Sequence, residues 1–275
     1  MSLVHDLADK LPADIKTFAH YIRYRRSDYA TLKTVEPWRH PLGFERIYLY
    51  HIRKTAGSSL RWTFMDLGGT DLRGSDKERH LNAHGWVVHG GRIYVTHNRY
   101  LLERHAYFLG DSHFPFHDLR IPPKTFTITI LRDPVARVIS HYRMLLHWQE
   151  ANIDHPARKL EASYVGNSFS DFLDRLPRAH LMRQLYMFSP RYDVDEAVRN
   201  ISTVNFIMLT EHYNEHLQAL AQVLNLDLKP LAEKAGYGAV PLSDDDRARL
   251  RKVLEPEYAL FDAVKPLAGI YRETR

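Results

Sequence analysis

The residues whose types and spacing most clearly suit ligand binding and catalysis lie in the segment HIRKTAGSSL, residues 51–60. The segment follows the apolar run Ile47-Tyr48-Leu49-Tyr50 and leads into Leu60-Arg61-Trp62, which predicts a strand, a turn of small residues and then a helix. The first N–H groups of a helix have no acceptor within the helix and lie at the positive end of its dipole, so such a junction binds anions well. Lys54 adds a cation at the mouth of the turn. This segment therefore predicts an anion site.

The order of residues in this turn differs from that of the common nucleotide-binding loop. Lys54 precedes Gly57, whereas the Walker loop has its glycines before the lysine, and this disfavours an ATPase or kinase. Gly57 and its neighbours are small, which we expect to let the backbone approach the ligand closely. An ordinary strand–turn–helix junction that binds nothing is the alternative. The residues predicted to form the anion site are Arg53, Lys54, Thr55, Ala56, Gly57, Ser58 and Ser59.

A second junction between a strand and a helix occurs in ILRDPVARVISHY, residues 130–142. The β-branched run Thr125 to Leu131 predicts a buried strand. Asp133 is a suitable helix N-cap and Pro134 a suitable first helical residue, so a helix is expected from there to about His147.

Two side chains of this second junction suit anion binding. Arg132 ends the predicted strand, and in open parallel sheets ligands bind at the carboxyl ends of the strands. Its planar guanidinium matches phosphate oxygens, and Ser140, two turns along the helix, adds a neutral hydrogen-bonding group. Helix capping alone would also explain the Arg-Asp-Pro sequence. Its occurrence after the first segment favours a shared ligand.

The alternation of strands and helices predicts an α/β fold, a single domain over residues 1–275 with a mostly parallel central sheet flanked by helices. Residues 1–43 are expected to form a helical N-terminal extension and residues 44–266 the core. Residues 68–91, rich in Gly, Asp and His, are expected to form a loop. The other predicted elements are strands at 92–96 and 206–209 and helices at 58–67, 178–188, 193–201 and 213–224, with two more helices after residue 243.

Composition narrows the class of protein. With 44% hydrophobic and 26% charged residues, the chain of 275 residues is expected to be globular and soluble. No apolar run approaches the ~20 residues of a membrane span. The acidic start of the chain is unlike a secretory signal, and the absence of cysteine excludes disulfides and thiolate ligands, so we expect a cytoplasmic protein.

Charge gives a weaker indication of the partner. The net charge of +5 and the pI of 9.2 suit a polyanionic ligand. No nucleic-acid-binding motif stands out, so we do not expect the protein to bind nucleic acid. The basic cluster Tyr21 to Arg26 is expected to lie on a solvated helix face, with peripheral contact to a membrane or a partner as the alternative.

Together the two segments resemble the sulfotransferases that use 3′-phosphoadenosine 5′-phosphosulfate (PAPS), especially the branch of heparan sulfate 2-O-sulfotransferase and related carbohydrate enzymes. In that family a K-T-x-G-[ST]-[ST]-like loop binds the 5′-phosphosulfate, which corresponds to Lys54 to Ser59. An R-D-P-x-x-R-x-x-S-x-Y segment binds the 3′-phosphate, which implies this role for Arg132 and Ser140. The segment FIMLTEHYNEHLQAL, residues 206–220, and the stretch from Leu242 are similar to later parts of the same branch.

The resemblance implies a P-loop-like architecture and in-line transfer of a sulfuryl group to a hydroxyl, with 3′-phosphoadenosine 5′-phosphate (PAP) as product and no metal. Its acceptor would be a carbohydrate or glycolipid. His97 follows the strand after the first segment, where this branch has its base, and an imidazole suits proton abstraction near neutral pH. Lys54 would stabilise the leaving phosphate oxygen. Arg53 stands where proline is common in the family, and Asn98 has no obvious counterpart.

Three rival functions remain open at this point. A metal hydrolase would use the abundant histidines, but the pairs His212/His216 and His113/His117 lack the H-E-x-x-H pattern and a third ligand. A P-loop-type nucleotide kinase would share the fold, yet no magnesium site is evident. A non-catalytic polyanion-binding protein would explain the basic charge, but not two phosphate-type segments together with a histidine.

Overall fold

The computed structural model of the chain describes residue 32 and residues 35–153, 156–231 and 242–273. Six strands lie within these residues, and they form one sheet in the order β2-β3-β4-β1-β5-β6. Strands β3 and β4 pair in parallel, as do β5 and β6, whereas β2 and β3 are antiparallel. The predicted α/β class with a mostly parallel sheet is confirmed. The strands are β1 Arg46–Tyr50, β2 Trp86–His89, β3 Arg92–Thr96, β4 Leu109–Ser112, β5 Thr125–Leu131 and β6 Phe206–Leu209.

Helices follow β1, β3, β5 and β6, as expected for crossover connections in a parallel sheet. The helix predicted over 178–188 is divided at Met182, whose ψ of 50° interrupts the helical backbone. In the described part of the chain the helices are α1 Gly57–Met65, α2 Asp76–His84, α3 Arg99–Arg104, α4 Pro134–Glu150, α5 Pro156–Glu161, α6 Phe169–Arg175, α7 Arg178–Leu181, α8 Arg183–Phe188, α9 Val194–Ile201, α10 Tyr213–Leu224, α11 Asp244–Val253 and α12 Glu255–Val264.

The junction between β5 and α4 forms as its residue types predict. Strand β5 is buried over almost its whole length, which explains its continuous run of apolar and β-branched residues. Asp133 caps α4, because its Oδ1 accepts the N–H of Ala136 at 2.8 Å, and Pro134 is the first helical residue.

The prediction of a loop over residues 68–91 is wrong for much of that range, because the structure has a helix and a strand there. Helix α2 begins after Ser75, whose hydroxyl oxygen accepts the N–H of Glu78 at 3.2 Å, and it ends at Gly85 in the left-handed region with a φ of 75°. Strand β2 then pairs with β3 from Trp86 opposite Val95 to His89 opposite Arg92. The helix escaped prediction because Leu81 is its one buried residue, so its apolar periodicity is weak.

Contacts within the chain group it into two compact units. The first comprises the described parts of Met1–Tyr48, Met65–Ser112 and Leu119–Phe126, and the second those of Leu49–Phe64, His113–Asp118 and Thr127–Arg275. The single domain with a core at 44–266 stays a prediction, and most of the N-terminal extension, including the cluster Tyr21 to Arg26, lies outside the described residues. Among the described helices, none is long and apolar enough to span a membrane.

Candidate active site

The loop between β1 and α1 has an unusual backbone. Lys54 and Ala56 both adopt the left-handed conformation, with φ of 71° and 68°, although neither is glycine. Such residues cost on the order of 1 kcal/mol or more each, and they cluster at functional sites. Between them Thr55 is fully buried, and its hydroxyl donates to the carbonyl oxygen of Ile52 at 2.9 Å. Alternation of left-handed and ordinary residues turns successive N–H groups toward one side, an arrangement that binds anions.

Helix α1 continues this anion-binding geometry. Its first turn is Gly57, Ser58 and Ser59, and it carries no acidic residue that would occupy the positive end of the dipole. The side chain of Ser58 is exposed and that of Ser59 is half-buried. The helix ladder starts where the N–H of Leu60 bonds the carbonyl oxygen of Ala56 at 3.1 Å. The predicted strand, turn and helix are confirmed, and the loop residues are brought together at the helix N-terminus.

Gly57 is required for a reason that differs from the prediction. A Cβ at this position would lie 2.6 Å from Nε2 of His51, whose ring is buried against the glycine. The space that glycine leaves is therefore taken by His51 and not kept for a ligand. His51 is a packed residue at the end of the strand, and its ring centroid lies 4.5 Å from that of His113.

Lys54 is half-buried and electrostatically perturbed. Burial lowers the pKa of its ammonium group to about 8, and the positive charges of Arg53 and Arg132 act in the same direction. Three cations near one loop disfavour each other unless an anion lies among them. The electrostatics of the loop therefore suit a phosphate or sulfate group.

Arg132 reaches the same loop from the carboxyl end of β5. Its Nη1 donates to the carbonyl oxygen of Lys54 at 3.3 Å, so the two predicted segments meet in the structure. Arg143, on α4, is near enough for its charge to lower the pKa of Arg132, although burial is the larger cause. Ser140 is half-buried one helical turn before Arg143 and shares its face of α4. Arg143 thereby joins Arg132 and Ser140 as a candidate phosphate ligand.

A buried amide fixes the backbone of Arg132. The Oε1 of Gln184 accepts the N–H of Arg132 at 2.8 Å, and its Nε2 donates to the carbonyl oxygen of Arg132 at 3.0 Å. Gln184 Nε2 also donates to Oε2 of Glu257 at 3.0 Å, while Oε1 of Glu257 accepts the N–H of Leu185 at 2.7 Å. Gln184 and Glu257 are buried, and sequence reasoning missed both because they are distant from the motifs and match no recognised pattern.

Arg137, which the family motif includes, serves the interior of the protein. Its side chain is fully buried, with Nη2 donating to the carbonyl oxygens of His180 and Leu181. Its Nε lies 3.9 Å from Oε2 of Glu257, which balances the buried charge. The guanidinium thus supports the turn before α8 rather than facing a ligand.

Thr210 and Glu211, directly after β6, connect the two segments. The hydroxyl of Thr210 lies within hydrogen-bonding distance of the carbonyl oxygens of Thr55, at 2.9 Å, and Leu131, at 3.1 Å. Oε1 of Glu211 accepts the N–H of Asp133 at 2.8 Å. The later family-like segment therefore has a structural function, since it fixes both turns that are predicted to bind anions.

The side chain of Arg53 has a protein partner. Its Nη1 pairs with Oε1 of Glu161, and Oε2 of the same carboxylate lies 2.8 Å from Nε2 of His141. Burial alone would raise the pKa of Glu161, but the bonds from His141 and Arg53 hold it at about 2. Burial lowers the pKa of His141 to about 4 and also lowers that of His180. A donor-binding role for Arg53 stays a prediction. Because its side chain is paired with Glu161, its backbone is better placed for that role than its guanidinium.

His97 lies in the first unit, at the end of β3. It is exposed and has a φ of 53°, and its N–H donates to the carbonyl oxygen of Asp111 at 3.0 Å. Its Nδ1 lies 2.8 Å from the hydroxyl oxygen of Thr96. If Nδ1 carries the proton and donates to that hydroxyl, Nε2 is the basic nitrogen. Asn98 caps α3 through the N–H of Leu101, which gives this residue a structural explanation.

Comparison with known families gives one result that covers most of the chain. The sequence model of the sulfotransferase family matches residues 43–257, a range that includes every predicted site residue. No curated protein gives a significant match. The matched range begins just before β1 and ends at the buried Glu257, so it contains both predicted anion-binding turns and the residues that fix them. The chain therefore belongs to the sulfotransferase family.

Proposed function

We propose that this protein transfers a sulfuryl group from PAPS to a hydroxyl of a carbohydrate or glycolipid, as in the 2-O-sulfotransferase branch. The observation that carries the proposal is the meeting of two anion-binding turns, in which Arg132 bonds the carbonyl oxygen of Lys54 and Thr210 contacts both. PAPS carries a phosphosulfate at the 5′ position and a phosphate at the 3′ position of one ribose. Two neighbouring cationic sites match that distribution of charge.

In the proposed reaction the acceptor oxygen attacks sulfur while the bond between sulfur and the bridging phosphate oxygen breaks. The acceptor proton passes to Nε2 of His97, and PAP leaves with the electron pair of the broken bond. Lys54 and the N–H groups of Gly57 to Ser59 stabilise the charge that develops on the leaving oxygen. Catalysis then consists of positioning and electrostatic stabilisation, with no covalent enzyme intermediate and no metal in the chemical step.

Donor binding tests the proposal directly. Calorimetric titration of the whole chain should show tighter binding of PAP than of ADP or ATP. Arg132→Ala should weaken PAP binding by about tenfold or more, because it removes a charged hydrogen-bonding group. Arg199→Ala, which removes an exposed arginine of α9, is the matched control and should have no effect. Equal affinity for ADP and PAP would contradict the proposal and favour the kinase alternative.

Acceptor activation needs a separate test. His97→Ala should reduce sulfuryl transfer by about 10²-fold or more, the usual contribution of a general base, while PAP affinity stays within about twofold. An active His97→Ala enzyme would assign the base to another residue. The cytoplasmic location likewise remains a proposal, and cell fractionation would test it.

A further inference from the structure

A cluster of metal-binding side chains lies in the second unit, outside the residues used in the proposed reaction. It consists of His141 on α4, Glu161 at the end of α5 and His180 on α7. One donor atom from each lies within 4.8 Å of the others, and the closest pair, Nε2 of His141 and Oε2 of Glu161, is 2.8 Å apart. The two imidazole rings are nearly parallel, at 19°, with centroids 5.8 Å apart.

We propose that His141, Glu161 and His180 form a binding site for a divalent transition-metal ion of the Zn²⁺ type. Two imidazole nitrogens and one carboxylate oxygen are a donor set that zinc accepts readily, and the fourth position is left for water. The ion would replace the contact between His141 and Glu161. None of the three ligands takes part in the proposed sulfuryl transfer, although Arg53, which pairs with Glu161, is also a predicted donor-binding residue.

The carboxylate of Glu161 is already oriented for this role. Oε1 is held by Arg53 and Oε2 by His141, so the carboxylate cannot rotate freely. Partners of this kind, which bond a ligand but not the metal, orient the ligands of many metal sites. Burial of His141 and Glu161 adds to this rigidity, and His180 is half-buried, which leaves an approach for the ion.

The surrounding charge limits the affinity. Arg53, Arg137 and Arg183 all act electrostatically on His180. Arg53 pairs with Glu161, and Nε of Arg137 lies 3.9 Å from Glu257, whereas Arg183 donates to a neutral group, the carbonyl oxygen of His113, at 2.9 Å. We therefore expect micromolar binding, weaker than that of a closed structural zinc site.

The position of the cluster indicates what the ion would do. Its ligands come from α4, α5 and α7, so a bound ion would join three helices and stabilise the folded chain according to its free concentration. Binding should therefore raise the unfolding temperature even when no sulfuryl donor is present.

The test is a titration of the full chain, purified without a polyhistidine tag, with Zn²⁺ by calorimetry and with Co²⁺ by visible absorption. One ion per chain and a tetrahedral Co²⁺ spectrum are expected. Glu161→Gln and His180→Gln should each weaken binding by tenfold or more. His212→Ala is the matched control, because His212 is an exposed histidine that lies 3.4 Å from Glu215 and near His216. It should leave the affinity unchanged.

Two outcomes would overturn the inference: the absence of saturable binding to the parent chain, or loss of binding with His212→Ala but not with His180→Gln. His180→Gln decides the question if Glu161→Gln fails to fold, because His180 is half-buried and accepts substitution more readily. PAP titration of the same samples separates this inference from the proposed function. Intact PAP binding without zinc binding rejects the metal site alone.

Discussion

The amide of Gln184 offers a sharp test of how the proposed 3′-phosphate site is held. Replacing Gln184 with Met keeps the side-chain volume but removes three hydrogen bonds, two to the backbone of Arg132 and one to Glu257. All three partners would be left wholly or partly unsatisfied in a buried region. Each unsatisfied group costs about 1–3 kcal/mol, so the free energy of unfolding should fall by about 3–9 kcal/mol.

The same substitution should change ligand selectivity. Without the hydrogen bonds from Gln184, the backbone of Arg132 no longer fixes the guanidinium, which binds the 3′-phosphate in the proposed complex. The loss of one charged hydrogen bond corresponds to about 1.5–3 kcal/mol, or a roughly tenfold to hundredfold weaker PAP affinity. ADP lacks the 3′-phosphate, so its affinity should change little, and the ratio of PAP to ADP affinity should fall.

Urea unfolding and calorimetric titration of both nucleotides measure the two effects. Gln218→Met removes an exposed amide of α10 and is the matched control. If Gln184→Met is too unstable to titrate, Gln184→Asn permits the binding measurement, because it keeps a polar amide but is one methylene too short to bond both backbone groups of Arg132. A folded Gln184 variant with an unchanged PAP to ADP ratio would refute the reasoning, whatever its stability.

Three further predictions concern the loop and the proposed base. Gly57→Ala should lower the free energy of unfolding by about 1–3 kcal/mol in urea titration, because its Cβ meets the ring of His51, and His51→Ala in the same chain should relieve part of that loss. PAP affinity should fall as pH rises above about 8, where the ammonium group of Lys54 loses its proton, and the loss should approach about tenfold per pH unit. Lys54→Arg should abolish this pH dependence, and a pH dependence that persists in Lys54→Arg would refute the assignment. Thr96→Val removes the hydroxyl that lies beside Nδ1 of His97 and should lower kcat by about tenfold with unchanged PAP affinity. An unchanged kcat would contradict the proposed orientation of the imidazole.

The two strand–turn–helix junctions could be predicted because each depends on local chemistry. Strand β5 is marked by its β-branched residues, and α4 by the cap and proline at Asp133 and Pro134, so the position of Arg132 followed from adjacent residues. The left-handed backbone of Lys54 and Ala56 could not be predicted, since neither residue favours that conformation. There the surrounding structure overrides local preference.

Other features depend on contacts between distant parts of the chain. Gln184 lies 52 residues from Arg132 along the sequence, and Glu257 lies 73 residues beyond Gln184, so no local pattern indicates such a network. Strand β4 was also missed, because the sequence Leu-Gly-Asp-Ser is typical of a turn, yet all four residues are buried in the sheet. Burial of polar residues in a strand is a tertiary effect that sequence periodicity does not report.

The contacts of Thr210 have a consequence for how the protein acquires its activity during synthesis. Thr210 reaches Thr55 across 155 positions of the chain, and Glu257 lies further still toward the C-terminus. A nascent chain that has emerged only as far as Ser140 contains both predicted anion-binding turns, but it lacks the later residues that hold them in place, which are Gln184, Thr210, Glu211 and Glu257. Competence to bind the donor should thus arise late, when contacts of long sequence separation have formed. Donor binding would then serve as a sensor of completed folding.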